Sequence, residues 1–305
     1  MCVGFYTLEH PEYALVLCSN RDEYLDRATD PACFHSFDKH LPERKEKGLE
    51  SGKGTEHENV LSGVDVRAGG TWLGVTRTGR VAFLTNITEE YGTYGSSRGD
   101  LVASFLLSGD GDADADALIP REDKYAGFNL LLLTPFWSSR DGPNRSLSFN
   151  STYVTNHGGG GTITTRASTP AERSSGGMSN GIDGPEPDAG TWPKVQHGLH
   201  SFKSIMNTAR PRIPEMELAE NLFEMLTWKS DHPPSARSEL RNTVQVEPFV
   251  MHEIYGYYGT RLSTVILIKR TGEVLFIERD RWKLVDAKPV LSDPTSQREF
   301  RFNLD

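Results

Sequence analysis

The sequence is short of cysteine. Its three cysteines, Cys2, Cys18 and Cys33, all fall within the first 33 of 305 residues. They form no Cys-x-x-Cys pair, and none combines with a histidine at zinc-ligand spacing, so a zinc finger or a dithiol redox motif is excluded. A low and odd number of cysteines is typical of a chain that folds in a reducing compartment.

An excess of positive charge is also missing. The chain has 33 basic and 42 acidic residues and a formal net charge of −9. Its lysines and arginines are interleaved with acids and do not form a basic stretch. Because such a surface repels a phosphate backbone, no nucleic-acid partner is expected.

Long hydrophobic runs are absent as well. The longest apolar stretches, such as "YALVL" and "STVILI", are far too short to span a bilayer. The first residues show neither the basic segment nor the apolar segment of a secretory signal. The sequence therefore predicts a cytoplasmic protein that associates with organelles only peripherally.

What the sequence does contain is a series of strand patterns at both ends with helical patterns between them. "CVGFYTL" and "ALVLCSN" predict a first hairpin, "TWLGVTRTGRVAFLTN" a second and "RLSTVILIKRTGEVLFIERDRW" a third. "GFNLLLLTPF" predicts a strand that is buried on both faces. Helices are predicted at "RGDLVASFLLSG", near 194–208 and near 214–228. The absence of a strand–helix–strand rhythm favours an α+β fold with antiparallel sheets.

Two segments have compositions that do not support a core. Residues 38–59 are charged and rich in glycine, and residues 157–190 combine a "GGGG" run with Ser, Thr and Pro. We therefore expect a single domain, residues 1–305, with loose insertions near 38–59 and 157–190. The acidic "DGDADAD" at 110–116 lacks the glycine and glutamate register of a calcium loop. The nine histidines give no metal-site pattern, although His10 and His157 are of a type that ligates haem iron.

Cys2 is a candidate catalytic nucleophile. Removal of Met1 would leave a thiol beside its own α-amino group, whose pKa lies near neutrality. The amine could take the thiol proton and later deliver it to a leaving group. Such a site also needs a carboxylate to orient the amine, for which Asp22 is available, and amide donors for an oxyanion. The alternative interpretation is that Cys2 is a small buried residue without chemistry.

The neighbouring polar residues also have two interpretations each. Arg21 and Glu23 would alternate with Asp22 along an extended segment, and they would then form ion pairs at the hairpin corner. Trp72 is either a core residue or a surface on which a flat ligand stacks. Asn86 and Asn180 are of a type found at turns and caps more often than in oxyanion sites.

Several motifs occur in an order that resembles one protein family. They are "MC" at the start, "NRDE" at 20–23, "RAGGTWLGVTRTGRVAFLTN" at 67–86, "SSRGDL" at 96–101, "YAGFNLLL" at 125–132, "MSN" at 178–180, "TWPKV" at 191–195 and "YGTRLSTVILI" at 258–268. Together they resemble the NRDE-domain family, the transport and Golgi organization protein 2 family, over almost the whole chain.

This resemblance implies a fold similar to N-terminal-nucleophile hydrolases, a four-layer αββα sandwich of antiparallel sheets. By the more distant similarity to cysteine-type amidases, it implies a catalytic set of Cys2, Asp22, Asn86, Asn180 and Arg261. The ligand-binding positions that we expect beside this set are Asn20, Arg21 and Trp72.

For function, the resemblance implies an intracellular trafficking or carrier protein for Golgi organisation, protein secretion, and haem or acyl-lipid handling, located in the cytoplasm and near the Golgi or mitochondria. No cofactor is required, and haem is a candidate carried ligand. The alternative is an amidohydrolase that uses Cys2 on the carbon–nitrogen bond of a small amide. Fold similarity alone does not decide between them, and the oligomeric state stays open.

Overall fold

The computed structural model describes residues 2–37, 58–90, 92–108, 119–138, 145–183, 189–208, 213–251 and 256–305. One sheet, sheet A, contains strands from both ends of the chain. In spatial order its main path is β10 (Gly176–Met178), β1 (Cys2–Thr7), β2 (Tyr13–Tyr24), β12 (Gly256–Lys269), β13 (Glu273–Asp280) and β16 (Gln297–Asn303), and β11 (Phe249–Met251) also pairs with β12. All of these pairings are antiparallel.

The second sheet, sheet B, follows the chain without a crossover. Its strands are β3 (Thr29–His35), β4 (Val60–Asp65), β5 (Leu73–Thr76), β6 (Val81–Asn86), β7 (Phe128–Trp137), β8 (Leu147–Thr155) and β9 (Thr164–Ala167). A short hairpin of β14 (Trp282–Val285) and β15 (Lys288–Leu291) stands apart from both sheets.

Four α-helices lie within the described residues: α1 (Arg98–Leu107), α2 (Pro170–Ser174), α3 (Pro193–Thr208) and α4 (Glu215–Met225). Three apolar clusters define how they are layered. One lies between the two sheets and joins Leu15 and Leu17 to Leu131 and Leu133. The second packs α3 and α4 on sheet A, and the third packs α1 on sheet B. The predicted four-layer αββα sandwich of antiparallel sheets is therefore confirmed.

The alternation of side chains explains why β2 and β7 carry unbroken apolar runs. Leu131 and Leu133 of β7 face sheet A, whereas Leu130 and Leu132 face α1. Successive strand residues point to opposite faces, so a strand with a layer on each side must be apolar at every position. The predicted burial of "GFNLLLLTPF" on both faces is confirmed.

Three predicted hairpins are present as expected. β1 pairs with β2, β5 with β6 and β12 with β13. The last two turns contain Gly79 at φ 94° and Gly272 at φ 95°, a backbone region that favours glycine. The "NRDE" segment is extended and forms the end of the second strand, because β2 continues to Tyr24.

The segment near 157–190 also differs from the loose insertion that composition predicted, at least over 157–178. It supplies β9, α2 and β10, which are edge strands of both sheets and the helix between them. Its Gly159 amide donates to the Glu89 carboxylate at 2.6 Å, and the same carboxylate also accepts from the Gly127 amide before β7 at 2.6 Å. Backbone donors can order a glycine run even though it has no side chains to pack. Residues 38–57, 110–116 and 184–188 lie outside the described part of the chain.

Candidate functional site

Cys2 lies on β1 at one end of sheet A. It is 8% exposed and pairs in register with Arg21 of β2. Its carbonyl oxygen accepts a hydrogen bond from Ser179 Oγ at 3.0 Å, which fixes the backbone of β1 against β10. Burial raises the pKa of the Cys2 thiol, and the charge of Asp22 acts in the same direction, while Arg21 opposes both. Nucleophilic attack would therefore require a base or a cation that stabilises the thiolate.

Asp22 follows Arg21 on β2 and is buried at the same end of the sheet. Its Oδ1 accepts a hydrogen bond from Thr260 Oγ1 at 2.6 Å, and its carbonyl oxygen accepts one from the Tyr258 hydroxyl at 2.8 Å. Burial raises the pKa of this carboxyl group, and nearby positive charge, including Lys194, opposes the rise. Asp22 therefore has the fixed position that an orienting carboxylate needs.

Asn180 is buried and is held by both ends of its amide. Its Nδ2 donates to the Asn86 carbonyl oxygen at 2.5 Å, while its Oδ1 accepts from Lys194 Nζ at 3.5 Å and lies 3.2 Å from Ser179 Oγ. The hydrogen bond between these two asparagines thus joins the side chain of Asn180 to the main chain of Asn86. Because an NH2 group has two hydrogens, Asn180 has donor capacity beyond its bond to Asn86.

Lys194 is the residue of this site that sequence reasoning missed. It lies in the first turn of α3, and its side chain is 0% exposed, with Nζ 5.7 Å from the centre of the Trp192 ring. Burial lowers the pKa of this ammonium group, whereas Asp22 and Cys2 raise it. The "TWPKV" motif contains the residue, but no pattern in it distinguishes a buried lysine from a lysine on the solvent face of a helix.

Arg21 and Trp72 form a pair with each other. The Arg21 guanidinium carbon lies 4.1 Å from the centre of the Trp72 ring, and both side chains are buried. Arg21 also donates to Thr29 Oγ1 at 3.1 Å and to Asp65 Oδ2 at 3.5 Å. One face of the indole is therefore already covered by a cation, which leaves less room for the ligand stacking that the sequence suggested.

Arg261 lies on β12 and reaches the same threonine. Its Nη1 lies within hydrogen-bond distance of three acceptors, which are Thr29 Oγ1 at 3.2 Å and the carbonyl oxygens of Tyr24 and Arg27. Burial and the neighbouring Arg21 lower the pKa of Arg261 to about 10. The two arginines thus converge on the turn between β2 and β3.

Asn20 has the contacts of a structural residue. Its Nδ2 donates to the carbonyl oxygens of Leu226 and Val244 at 2.9 and 3.0 Å, and its Oδ1 accepts from Ser263 Oγ at 2.6 Å. Both amide hydrogens are used, and the side chain is 0% exposed. Its contacts are therefore with the chain itself, beside β12 and the segment after α4.

A cleft of about 930 Å³ opens beside this cluster. Asn86 and Asn180 line it, and so does Tyr258, which contacts Asp22. The apolar part of the wall includes Ile87, Ala126, Leu240 and Met251, and the charged part includes Glu23, Asp26, Glu89, Glu90, Arg27, Arg67, Arg98 and Arg237. Cys2 and Asp22 are not among the residues that line the cleft. Asp22 is connected to its wall through the hydrogen bond from the Tyr258 hydroxyl.

The candidate metal and haem ligands do not form a cluster. No group of three or more His, Cys, Asp or Glu residues suited to a metal occurs in the described ranges. His10 and His157 do not line the cleft. His157 contacts the Asp183 carbonyl oxygen at 2.8 Å and Thr164 Oγ1 at 2.7 Å. The cleft does contain Tyr24, Tyr94, Tyr258 and Met251, which belong to residue types that ligate haem iron.

Across the described residues, no helix is long and apolar enough to cross a membrane.

Comparison with known proteins gives a consistent family assignment. The profile of the Transport and Golgi organisation 2 family matches residues 1–283. The chain is 28% identical over 320 residues to the Transport and Golgi organization protein 2 homolog of Bos taurus, with 99% of each chain covered. It is 26% identical over 298 residues to the Mus musculus homolog, with 92% of each covered.

Similar solved structures are more distant in sequence. A variant of the conjugated bile acid hydrolase from Clostridium perfringens gives a TM-score of 0.47 at 9% identity, covering 99% of this chain and 98% of that one. The Caenorhabditis elegans ortholog of N-acylethanolamine-hydrolyzing acid amidase gives 0.44 at 10% identity, covering 87% and 92%.

Proposed function

Because the chain belongs to the Transport and Golgi organisation 2 family, we propose that it acts in intracellular transport and Golgi organisation by carrying a small amphipathic ligand. The observation that carries this proposal is the cleft of about 930 Å³ at the Cys2 end of the sandwich. Its volume is in the upper part of the range that is usual for small-molecule sites. The candidate ligands are haem and an acyl-lipid such as acyl-CoA, each of which combines an apolar body with anionic groups.

The wall of the cleft suits such a ligand. Ile87, Leu240 and Met251 offer apolar contact, and Arg67 and Arg98 offer guanidinium groups. Guanidinium groups bind carboxylates and phosphates through paired hydrogen bonds. Arg67 is exposed at the rim, whereas Arg98 is half-buried and donates to the Gly127 carbonyl oxygen at 2.9 Å. Arg67 is therefore the cation that can be changed with the least effect on folding.

A titration with haemin and with a fluorescent acyl-CoA tests the carrier proposal. We expect saturable binding of one of them, followed by absorbance or fluorescence. Arg67→Glu should weaken it by about tenfold, since a hydrogen bond between charged groups contributes about 1.5 kcal/mol. Lys288→Glu, at an exposed position on β15, makes the same charge change and should leave affinity unaltered. Absence of binding by both ligands, or equal loss in both variants, would refute the proposal.

A peripheral association with Golgi or mitochondria belongs to the same proposal. Cell fractionation of the wild-type chain and of the Arg67→Glu variant tests it. We expect the wild-type chain to be divided between the cytoplasmic and organelle fractions, and to be released from organelles by salt because peripheral contacts are screened. A chain that stays in the organelle fraction at high salt would contradict this expectation.

A second candidate function is an amidohydrolase, favoured by the gathering of Cys2, Asp22 and Asn180 at one end of the sheet. In this scheme the α-amine freed by removal of Met1 takes the thiol proton, and sulfur attacks the carbonyl carbon of an amide. Asn180 donates to the oxyanion, and the protonated amine gives its proton to the leaving nitrogen as the C–N bond breaks. Water then hydrolyses the thioester, which returns the thiol.

Labelling with an electrophilic lactone or activated amide tests this second function. We expect the wild-type chain and Cys33→Ser to be labelled equally, and Cys2→Ala to lose the label. Cys33 is the suitable control because it is the exposed cysteine. Intact-mass measurement on the same sample reports whether Met1 has been removed. Equal labelling of the Cys2→Ala variant, or full retention of Met1, would exclude the scheme.

A further inference from the structure

Lys194 is a lysine without solvent contact beside the cysteine at the sheet end. Lysine side chains are almost never fully buried unless a partner compensates the charge. Among the described residues, its Nζ lies 3.5 Å from Asn180 Oδ1. The aliphatic stem alone would not require this position, because any apolar residue at the start of α3 would fill it without a desolvation cost.

A continuous set of polar contacts leads from Lys194 to the main-chain carbonyl group of Cys2. Lys194 Nζ donates to Asn180 Oδ1, and Ser179 Oγ lies within hydrogen-bond distance of both Asn180 Oδ1, at 3.2 Å, and the Cys2 carbonyl oxygen, at 3.0 Å. Asn180 Nδ2 is directed to the Asn86 carbonyl oxygen. Because the Lys194 cation binds Oδ1 of Asn180, the Nδ2 group of that amide is the one that faces Asn86 and the cleft.

The charges around this set come from several elements. The chain's α-amino group and Asp22 and Arg21 of β2 act on the Cys2 thiol. In opposition to burial, Cys2 in turn raises the pKa of Arg98 of α1 and of Lys194 of α3, and Asp22 also raises that of Lys194. Asp22 and a Cys2 thiolate would place two negative charges in one buried region, and like charges disfavour ionisation. Lys194 is the cation in this group that is completely removed from solvent, so its field is screened least.

We propose that Lys194 is a positioning residue of the Cys2 site, which aligns Asn180 toward a substrate oxygen and supplies the positive charge that lets Cys2 react as a thiolate beside Asp22. The inference deepens the amidohydrolase function and depends on it for a role in turnover. Its test, however, measures the thiol itself. Failure of hydrolysis and failure of the role of Lys194 are therefore separate outcomes.

The test is the pH profile of Cys2 alkylation by iodoacetamide, followed by peptide mass spectrometry in a Cys33→Ser background. We expect Lys194→Met to slow alkylation at every pH below the midpoint by about tenfold, the effect of one pKa unit, and to move the midpoint upward. Lys203→Met changes an exposed lysine of the same helix and should leave the profile unaltered. A purely structural role would change folding or reagent access without moving the midpoint. An unmoved midpoint overturns the proposal.

A second comparison keeps the test decisive if Lys194→Met does not fold. Loss of one buried charge leaves Asp22 uncompensated, which is strongly destabilising, whereas removal of both charges is tolerated better. The double variant Asp22→Asn/Lys194→Met is therefore compared with Asp22→Asn/Lys194→Arg, which keeps a cation that does not deprotonate. We expect Asp22→Asn/Lys194→Met to have the higher midpoint because it has lost the cation. Identical profiles in this pair would refute the role of Lys194 equally well.

Discussion

At the scale of single residues, Asn20 is a fully buried amide that ties β2 to its surroundings. It donates to the carbonyl oxygens of Leu226 and Val244, which lie after α4, and accepts from Ser263 on β12. A buried backbone carbonyl that loses its donor keeps its desolvation cost. Asn20 therefore contributes to stability. Within "NRDE", this structural residue lies two positions before Asp22, the candidate orienting carboxylate.

Asn20→Ala should lower the free energy of unfolding by about 2–4 kcal/mol, because three buried polar groups lose their partner. Urea denaturation followed by tryptophan fluorescence measures this change. Asn150→Ala is the matched control, since Asn150 is exposed on β8, and it should have little effect. A normal unfolding midpoint for Asn20→Ala together with lost ligand binding would instead restore the interpretation of Asn20 as a binding residue.

The residues of the site differ in how far they could be predicted. Cys2, Asp22 and Asn180 follow from chemistry and motif order, and the fold brings them to one end of sheet A. Their catalytic roles remain predictions. Lys194 could not be found, because a lysine in an amphipathic helix pattern is normally assigned to the solvent face. Its burial depends on the packing of α3 against β10 and β1, which only the tertiary arrangement determines.

At the scale of elements, helix α3 lies unusually close to β1. A Cβ on Gly198 would come within 2.0 Å of Phe5 Cζ, and the Phe5 ring is itself fully buried and stacked on Phe202 of the same helix. The missing side chain at Gly198 is thus what permits this approach. Since α3 also carries Lys194, the spacing between helix and strand affects the site.

Gly198→Ala should therefore destabilise the protein even though alanine favours helix formation by about 1 kcal/mol over glycine. Overpacking of a buried ring costs about 1–3 kcal/mol and outweighs that gain. Thermal denaturation measures the net effect. Gly190→Ala is the control, because an added Cβ there would meet no described atom within 4 Å. Higher stability for Gly198→Ala would show that α3 can move away from β1 at no cost.

Elements are also where sequence patterns are most informative. Apolar alternation and turn glycines predict the hairpins at β1–β2, β5–β6 and β12–β13, and each is present. The pairing of β2 with β12 was not predicted, because local periodicity has no information about partners from the opposite end of a chain. The ordered backbone at 157–161 is not predicted for a similar reason, since the Gly159 amide donates its hydrogen bond to the distant Glu89 carboxylate.

At the scale of the whole molecule, the two sheets are joined by a buried carboxylate. Glu278 of β13 is 1% exposed, and its Oε1 accepts from the Ala32 amide of β3 at 2.9 Å and from Arg298 Nε at 3.0 Å. Burial raises the pKa of Glu278 above its ordinary value of 4.5, although Arg298 opposes the rise. A raised pKa in the folded state gives a stability contribution that is present below pH 4.5 and is lost as pH rises.

Glu278→Gln should therefore become more stable relative to the wild-type chain as pH increases from 4.5 toward neutrality. Glu220→Gln should behave oppositely. The hydrogen bond from Arg279 lowers the pKa of Glu220 below 4.5, so its contribution is present above that value and lost in acid. Urea unfolding at several pH values measures both differences. Parallel pH profiles for Glu278→Gln and the wild-type chain would contradict the assignment.

The neighbours of β2 in sheet A have a consequence for the order in which the molecule can be completed. One neighbour, β1, is local, but the other, β12, arrives only with the last part of the chain. During synthesis, β2 therefore has one unpaired edge until β12 has been made. Pairings between strands that are distant in sequence also form slowly. A premature stop after sheet B would remove the centre of the molecule, and the amino-terminal cysteine would lose its enclosure although its own sequence was untouched.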